Sequence, residues 1–324
     1  MSSYIFKNVY IKDYYTIAGP MEKDGKIKNF NEYLDDFYFG EKTFEQAEVK
    51  MQKNVVKNLI VRNDITENDV DFLIGGDLIN QISISSYSHR AFDFPFLGIY
   101  SACSTFIEAL LIGSIFTENY KHKNVICLTS SHNLTAERQF RYPVEYGSPK
   151  VHTSTFTATA AAGTILTHEK TNIKIDSATI GSVIDKGVND VNHMGAVMAP
   201  AAADTLNKHL NNLSRDISYY DVILTGDLGI VGAKIFKEYT KKVYNINIKK
   251  TMDAGSEIFL DSQDTYAGGS GPACIPIVFF NKILQNKKYK KILLVGTGSL
   301  HSPCLINQHN TIPAISHVVS LEVA

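Results

Sequence analysis

The fold of this chain is decided by the stretch Tyr100-Ser101-Ala102-Cys103-Ser104-Thr105, which joins two segments of different hydrophobic spacing. The preceding run, 94–100, is apolar with aromatic and β-branched residues and predicts a buried strand, whereas 104–119 has its apolar residues at helical spacing. Cys103 therefore falls where a strand turns into a helix. The first N–H groups of a helix lack internal partners and its dipole favours negative charge, so this position would stabilise a thiolate or a bound anion. The alternative is a small buried cysteine that fits a tight turn.

Length and composition are those of an ordinary globular protein. The chain has 324 residues, 44% hydrophobic and 20% charged, which suffices for one large or two medium domains. The net charge of −1 gives no sequence-wide attraction to nucleic acid or anionic lipid, so we predict no nucleic-acid partner. The four cysteines form no C-x-x-C pair, and we expect no metal, no cofactor and a reducing compartment. We also expect neither a signal peptide nor a transmembrane span.

An apolar strand that ends in Gly-Asp-Leu occurs twice, at 70–78 and at 218–228. The two copies place Asp77 and Asp227 at equivalent positions. Two further matches keep the same order along the chain: 100–103 with 266–269, and 124–133 with 291–300. Because three matches in register are hard to obtain by chance, the sequence predicts an internal repeat.

The repeat predicts an α/β fold in two related halves, 1–170 and 171–324, with helices outside parallel or mixed sheets. Two fused copies normally place equivalent strand ends around a common cleft. We therefore expect Cys103, His132 and Asp227 to meet there with the glycine turn 268–271.

A cysteine at a strand-to-helix turn in the first of two repeated α/β halves resembles the thiolase fold, which includes thiolases and ketoacyl synthases. The resemblance implies two βαβαβ-type halves in a five-layered α-β-α-β-α arrangement. It also implies an acyl-accepting cysteine, with a His and an Asn or second His of the second half binding the oxyanion. Here the corresponding loops are 225–228 and 268–271, which lack both donors, and an ionised Asp227 would repel the developing charge. The resemblance thus predicts a degenerate site with no catalytic residue, in which Cys103 is a vestigial nucleophile position.

More specifically, the chain is similar to the stage V sporulation protein AD family, thiolase-like proteins of spore-forming bacteria. The similarity spans nearly the whole chain and rests on the strings GDLINQ (76–81), ACST (102–105), SSHN (130–133), AERQFRYP (136–143), MAPAAADT (198–205) and AGGSG (267–271). It implies binding of dipicolinic acid, or its calcium chelate, for uptake into the spore during sporulation and release during germination. It also implies a peripheral position at the cytoplasmic face of the spore inner membrane, beside the membrane subunits of the SpoVA channel.

Dipicolinate is a planar aromatic dianion, so its site should offer fork-shaped donors, a helix N terminus and an apolar wall. The segment after the predicted His132 strand supplies Arg138, Arg141 and Tyr142, which we predict to contact the ligand together with Cys103 and His132. The alternative for such a segment is a solvated loop or a dimer interface.

Three of the predicted ligand residues, two of them not yet named as ligand contacts, have structural alternatives. His132 either faces the ligand or Cys103, or is a buried histidine hydrogen-bonded to backbone. Asp77 and Asp227 either cap equivalent turns or approach a chelated calcium ion, because hard cations take carboxylate oxygens. The residue types alone leave both alternatives open.

Two other functions stay open at this point. One is a Cys103-dependent acyltransferase or thioesterase of the ketoacyl synthase III type, with His132 as its base. The other is a mainly structural partner that assembles the channel. The resemblance also implies a homodimer paired through the strand 124–130, and the basic run 281–291 predicts the solvated end of an amphipathic helix.

Overall fold

The computed structural model describes residues 2–141 and 150–324, without the side chain of Arg141. The strands are β1 (Ser3–Ile5), β2 (Tyr10–Ala18), β3 (Glu32–Tyr33), β4 (Phe72–Gly76), β5 (Phe96–Gly98), β6 (Val125–Ser131), β7 (Phe156–Thr157), β8 (Ala160–Thr167), β9 (Ile173–Thr179), β10 (Val222–Thr225), β11 (Thr251–Asp253), β12 (Gly269–Ser270), β13 (Lys291–Val295), β14 (Gly298–Ser299), β15 (Ala314–Ile315) and β16 (Val318–Val323). The helices are α1 (Pro20–Lys23), α2 (Phe44–Arg62), α3 (Ser83–His89), α4 (Thr105–Tyr120), α5 (Asn133–Arg141), α6 (Met194–Asn212), α7 (Gly229–Tyr244), α8 (Ala254–Ile258), α9 (Cys274–Val278) and α10 (Pro303–Asn307).

Most of these strands join one large mixed sheet in the order β11-β10-β13-β16-β9-β2-β8-β6-β4-β5, with β1 beside β9 and β3 beside β2. The strands β2, β4, β5, β6 and β8 follow the same spatial order as β9, β10, β11, β13 and β16. The last strand of each set in chain order, β8 or β16, is antiparallel to both of its neighbours in that set. The other adjacent pairs within each set are parallel. The predicted α/β fold with an internal repeat is confirmed, while a domain boundary near residue 170 stays a prediction.

Buried apolar side chains form three clusters, of which the middle one surrounds the central helix layer and the other two lie under the outer helices. On β13, Ile292 and Leu294 point into the middle cluster, whereas Leu293 points into the outer one, as strand alternation requires. The middle cluster holds α4 and α9 between the strands of the two halves. The outer clusters pack α2 on the first half and α6 with α7 on the second. The two halves therefore share one core in an α-β-α-β-α arrangement.

The helix α2 begins as its sequence predicts. Thr43 is the N-cap, and its Oγ1 accepts a hydrogen bond of 3.2 Å from the backbone N–H of Gln46. Met51, Val55 and Leu59 are buried on one face. In the described part of the chain, no helix combines the length and the apolar character needed to cross a membrane.

Two predicted strands are present, but what surrounds each of them was predicted wrongly. The apolar run 94–100 forms β5, which is an edge strand of three residues with Leu97 39% exposed, and not a buried strand. The strand proposed for dimer pairing, 124–130, corresponds to β6, which is buried throughout and already pairs with β4 and β8. A second copy cannot add to β6, so a homodimer, which stays a prediction, requires another surface.

Candidate functional site

A cavity of about 110 Å³ lies where the carboxyl ends of strands from both halves meet. Turns after β4, β5, β10 and β13 contribute to it, together with α5 and α6. Its lining residues are Leu78, Tyr100, Ala102, Cys103, Ala136, Glu137, Phe140, Thr155, Thr157, Val191, Asn192, Met194, Met198, Asp227, Ser270, Ser299 and His301. The predicted cleft between the halves is thus present in the described residues.

Cys103 lies in a single 3₁₀ turn directly before α4. The sequence predicts this position between a strand and a helix. Ala102 precedes it with φ +51°, a left-handed conformation that is costly for a residue other than glycine. Burial raises the pKa of the Cys103 thiol well above its usual value, and the neighbouring Asp227 raises it further. The thiol therefore stays protonated, because these two effects outweigh the helix terminus that favours a thiolate.

Asp227 is fully buried and, besides its hydrogen bond with Cys103, accepts three hydrogen bonds inside the site. Ser270 Oγ and the Gly271 N–H both donate to Oδ2 at 2.9 Å, and Thr297 Oγ1 donates to Oδ1 at 2.8 Å. Burial raises the pKa of Asp227. Its hydrogen bonds oppose this rise, and the one with Cys103 lowers the pKa most. The structure therefore brings Cys103, Asp227 and the glycine turn 268–271 together.

A second carboxyl group, that of Asp253, holds the Asp227 turn in place. Its oxygens accept hydrogen bonds from Thr225 Oγ1 at 2.8 Å and from the backbone N–H groups of Leu228 and Gly229 at 3.0 and 2.9 Å. Burial, with the nearby Asp227 adding to it, raises the pKa of Asp253 to about 7. The site thus rests on two adjacent buried acids.

His132 does not line the cavity. Its Nε2 lies 2.8 Å from the carbonyl oxygen of Phe37, its Nδ1 accepts from the backbone N–H of Leu134 at 3.2 Å, and its ring stacks on Phe44. Burial lowers the pKa of His132 to about 4, so the ring is neutral. This environment is that of the buried, backbone-bonded histidine that the sequence left as the alternative.

Asp77 also lies outside the cavity lining. Oδ1 accepts from the Ile79 N–H at 2.8 Å, and Oδ2 accepts from the Ser85 N–H at 2.8 Å and the Ser85 hydroxyl at 2.7 Å. Every contact made by these oxygens closes the turn after β4 onto α3. Asp77 therefore caps a turn, whereas its repeat partner Asp227 faces the cavity.

Arg138 points away from the cavity. Its guanidinium Nη1 lies 2.7 Å from Glu45 Oε1 on α2, and the side chain is 55% exposed. The Arg141 side chain and Tyr142 lie outside the described residues, so their ligand contacts stay predictions. The neighbouring Glu137 does line the cavity, with Lys150 Nζ at 3.3 Å from its Oε1.

Several cavity residues were not singled out from the sequence as ligand contacts. Phe140 stacks on His301 with ring centroids 5.4 Å apart, and burial raises the pKa of Tyr100 to about 12, so its hydroxyl keeps its proton. Ser299 could have been found, because it lies 30 residues after Gly269, as His132 lies 29 residues after Cys103. The repeat therefore pairs Ser299 with a position near His132, but it does not show that Ser299, and not His132, lines the cavity.

These observations define a thiolase-like α/β protein in which the cysteine turn before α4 faces a carboxyl group. The fold is similar to the crystal structure of 3-oxoacyl-[acyl-carrier-protein] synthase III from Aquifex aeolicus VF5, with a TM-score of 0.56, 13% identity and 98% of each chain covered. It is also similar to cerulenin-bound OleA of Xanthomonas campestris, with a TM-score of 0.61, 14% identity and 98% and 100% covered. At these identities the likeness establishes the fold.

The sequence itself identifies the family. The family model described as stage V sporulation protein AD (SpoVAD) matches residues 2–322. The chain is 39% identical over 328 residues to stage V sporulation protein AD of Bacillus subtilis (strain 168), covering 99% of this chain and 97% of that protein. This chain therefore belongs to the stage V sporulation protein AD family, which confirms the resemblance and places the protein in sporulation.

Proposed function

We propose that this chain is a non-catalytic ligand-binding protein that takes dipicolinic acid, or its calcium chelate, into the cavity beside Cys103. The binding serves uptake into the spore during sporulation and release during germination. Family membership supports the sporulation context. The observation that carries the proposal is the Asp227 carboxyl group beside the protonated Cys103 thiol.

The arrangement around Cys103 opposes acyl transfer. Such chemistry needs a thiolate and free donors that bind the oxyanion of the tetrahedral intermediate. The Gly271 N–H and the Ser270 hydroxyl donate to Asp227 instead, so neither is available to an oxyanion. A carboxyl group at this place accepts hydrogen bonds and, when ionised, repels negative charge.

The cavity offers several groups that suit a small planar ligand. The stacked rings of Phe140 and His301 form an aromatic wall, and Tyr100, Asn192 and Ser299 bring polar groups to the lining. Because an ionised Asp227 would repel a free carboxylate, calcium in the chelate should improve binding. In this proposal Arg141 and Tyr142 supply further donors.

The proposal includes the partners that the family resemblance implies. The protein acts peripherally at the cytoplasmic face of the spore inner membrane with the membrane subunits of the SpoVA channel. It forms a homodimer, for which the β5 edge with the exposed Leu97 is the proposed surface, because no strand in the described part of the chain pairs with its outer side.

Calorimetric titration with dipicolinate, with and without calcium, tests the ligand. We expect saturable binding that calcium strengthens, and about twofold to tenfold weaker binding for Phe140→Ala, since a stacked aromatic pair contributes about 0.5–1.5 kcal/mol. The matched control is Tyr4→Ala, which removes an exposed aromatic ring on β1. No binding in either condition, or equal affinity in both variants, would contradict the proposed ligand site.

A Cys103-dependent acyltransferase or thioesterase is the second candidate function, favoured by the position of Cys103 before α4 in a fold shared with a 3-oxoacyl synthase. Intact mass after incubation with acyl-coenzyme A separates the two candidates. The binding proposal expects no adduct, and an acyl adduct that disappears in Cys103→Ser would favour the enzyme.

A further inference from the structure

The cavity beside Cys103 contains more acidic than basic groups in the described part of the chain. Asp227 and Glu137 line it, and its described lining contains neither lysine nor arginine. The charge of Glu137 is balanced by Lys150, whose Nζ lies 3.3 Å from Oε1. The described partners of Asp227 are instead a thiol, two hydroxyls and a backbone N–H, all of them neutral. An ionised Asp227 therefore faces the cavity with no cation among these partners.

Asp253 places a second carboxyl group directly behind Asp227. Its Oδ2 lies 3.0 Å from the backbone nitrogen of Leu228, the residue that follows Asp227. Its other described donors, Thr225 Oγ1 and the N–H groups of residues 229 and 256, are neutral as well. Burial raises the pKa of Asp253 to about 7, and the charge of Asp227 contributes to this rise. Because two adjacent buried carboxylates repel each other, the pair titrates as a unit and holds a proton over part of the neutral range.

The other acidic groups packed around Asp227 stay protonated. Burial raises the pKa values of Cys103, before α4, and Cys274, at the start of α9, well above the usual value of a thiol. Burial also raises the pKa of Glu22, which lies near Cys274, to about 8 and that of Tyr100 in the cavity lining to about 12. These groups are therefore uncharged at neutral pH and cannot balance a carboxylate.

The proposed free ligand adds two negative charges to this environment. Carboxylic acids in water ionise near about pH 4, so dipicolinate is a dianion at neutral pH. Arg141, a donor in the proposed function, would balance one of its two carboxylates. The second shares a cavity of about 110 Å³ with Asp227. Since unbalanced like charges are strongly unfavourable at a buried site, binding requires a proton or a cation.

On the basis of the proposed function, we propose that free dipicolinate binds together with one proton, which the pair Asp227 and Asp253 takes up, whereas the calcium chelate binds without one. The proton comes from the solvent and forms an O–H bond on a carboxylate oxygen, and no other covalent bond changes. A neutral Asp227 no longer repels the ligand and can donate a hydrogen bond to its carboxylate. In the chelate, the two charges of calcium already balance those of dipicolinate.

The two ligand forms should therefore respond differently to pH. Above the pKa of about 7, the affinity for free dipicolinate should fall by up to about tenfold per pH unit, because the unbound pair has lost the proton that binding requires. Below that pKa the pair already holds the proton, so the affinity should level off. The affinity for the chelate should stay constant across the same range. Acid conditions would thus favour the free acid, and calcium would replace the proton at higher pH.

Calorimetric titration in two buffers measures the proton directly, because HEPES and Tris release different heats when they give up a proton. At about pH 8 we expect uptake of close to one proton for each free dipicolinate bound and close to none for each calcium chelate. Nearer to about pH 6, uptake with free dipicolinate should fall below about half a proton. This comparison uses the unmodified protein and does not depend on the folding of a variant.

Asp227→Asn removes the charge that the proton neutralises. This variant should take up no proton and, at about pH 8, bind free dipicolinate about tenfold more tightly than the unmodified protein, because this pH lies one unit above the pKa of about 7. The matched control is Glu48→Gln. Burial raises the pKa of Glu48 to about 8, but Glu48 lies outside the cavity lining, so this variant should keep the proton uptake of the unmodified protein.

His301 also lines the cavity and is the competing site for the proton. Uptake that persists in Asp227→Asn but is lost in His301→Gln would overturn the inference, because the proton would then lie on His301. Equal uptake with both ligand forms would also overturn it. Saturable binding of free dipicolinate without proton uptake at about pH 8 would overturn it and leave the proposed ligand standing. Absence of binding by both forms at every pH would instead contradict the proposed ligand, and the inference would fall with it.

Discussion

The two Gly-Asp-Leu turns have the same sequence and equivalent places in the repeat, yet their aspartates do different things. Asp77 is enclosed by the N–H groups of Ile79 and Ser85 and closes a turn. Asp227 is held partly by the hydroxyls of Ser270 and Thr297 and lies beside Cys103 in the cavity. The two copies of the repeat therefore share a backbone turn, but the hydrogen-bond donors around each aspartate determine what that aspartate does.

The largest expected effect comes from replacing Asp77 by Asn. In either orientation the new amide NH₂ would face a backbone N–H, that of Ile79 or that of Ser85, and a backbone N–H cannot reverse its polarity. We expect the free energy of unfolding, measured with urea, to fall by about 2–3 kcal/mol.

Asp227→Asn is the matched comparison. Its NH₂ can face Thr297 Oγ1, and a hydroxyl can turn to accept a hydrogen bond. We expect a loss of less than about 1 kcal/mol. A larger loss for Asp227→Asn than for Asp77→Asn would show that the donors do not distinguish the two turns as described.

A smaller effect concerns Glu48, which is buried near Asp77 and accepts from Ser130 and Thr135 at 2.8 Å. Burial, with Asp77 adding to it, raises the pKa of Glu48 to about 8. Between the ordinary glutamate pKa and about 8, the folded state therefore holds a proton that the unfolded state has released. The free energy of unfolding should fall as pH rises through this window, by up to about 1.4 kcal/mol per pH unit.

Replacing Glu48 by Gln should flatten this pH dependence, measured by urea unfolding at several pH values across the window. Glu238→Gln is the control, because Glu238 lies on α7 in an exposed pair with Lys242. If the two variants show the same slope as the unmodified protein, Glu48 does not carry a proton in the folded state.

Local sequence signals predicted the elements that position the site. The strand-to-helix change at Cys103, the N-cap at Thr43 and the two Gly-Asp-Leu turns all depend on residues within a few positions of one another. The order of the repeat then predicted that Cys103 and Asp227 approach each other, because equivalent strand ends converge in such folds.

The contacts that the sequence did not reveal are made over long separations. The partner of His132 is Phe37, 95 residues away, and the partner of Arg138 is Glu45, 93 residues away. Neither contact leaves a local pattern. Likewise the apolar run that contains β5 has the composition of a buried strand, since hydrophobicity alone does not distinguish an interior strand from an edge that awaits a partner.

The measurement that tests the account most directly is the pH dependence of Cys103 alkylation by iodoacetamide, with the modified cysteine identified by peptide mass. The account predicts slow alkylation without a plateau near neutral pH, because burial and Asp227 raise the pKa of the Cys103 thiol. It also predicts at least about tenfold faster alkylation in Asp227→Asn, in which the neighbouring negative charge is removed. Rapid alkylation of the unmodified protein at neutral pH, with an apparent pKa below the ordinary value of about 8.5, would show a reactive thiolate and contradict the account.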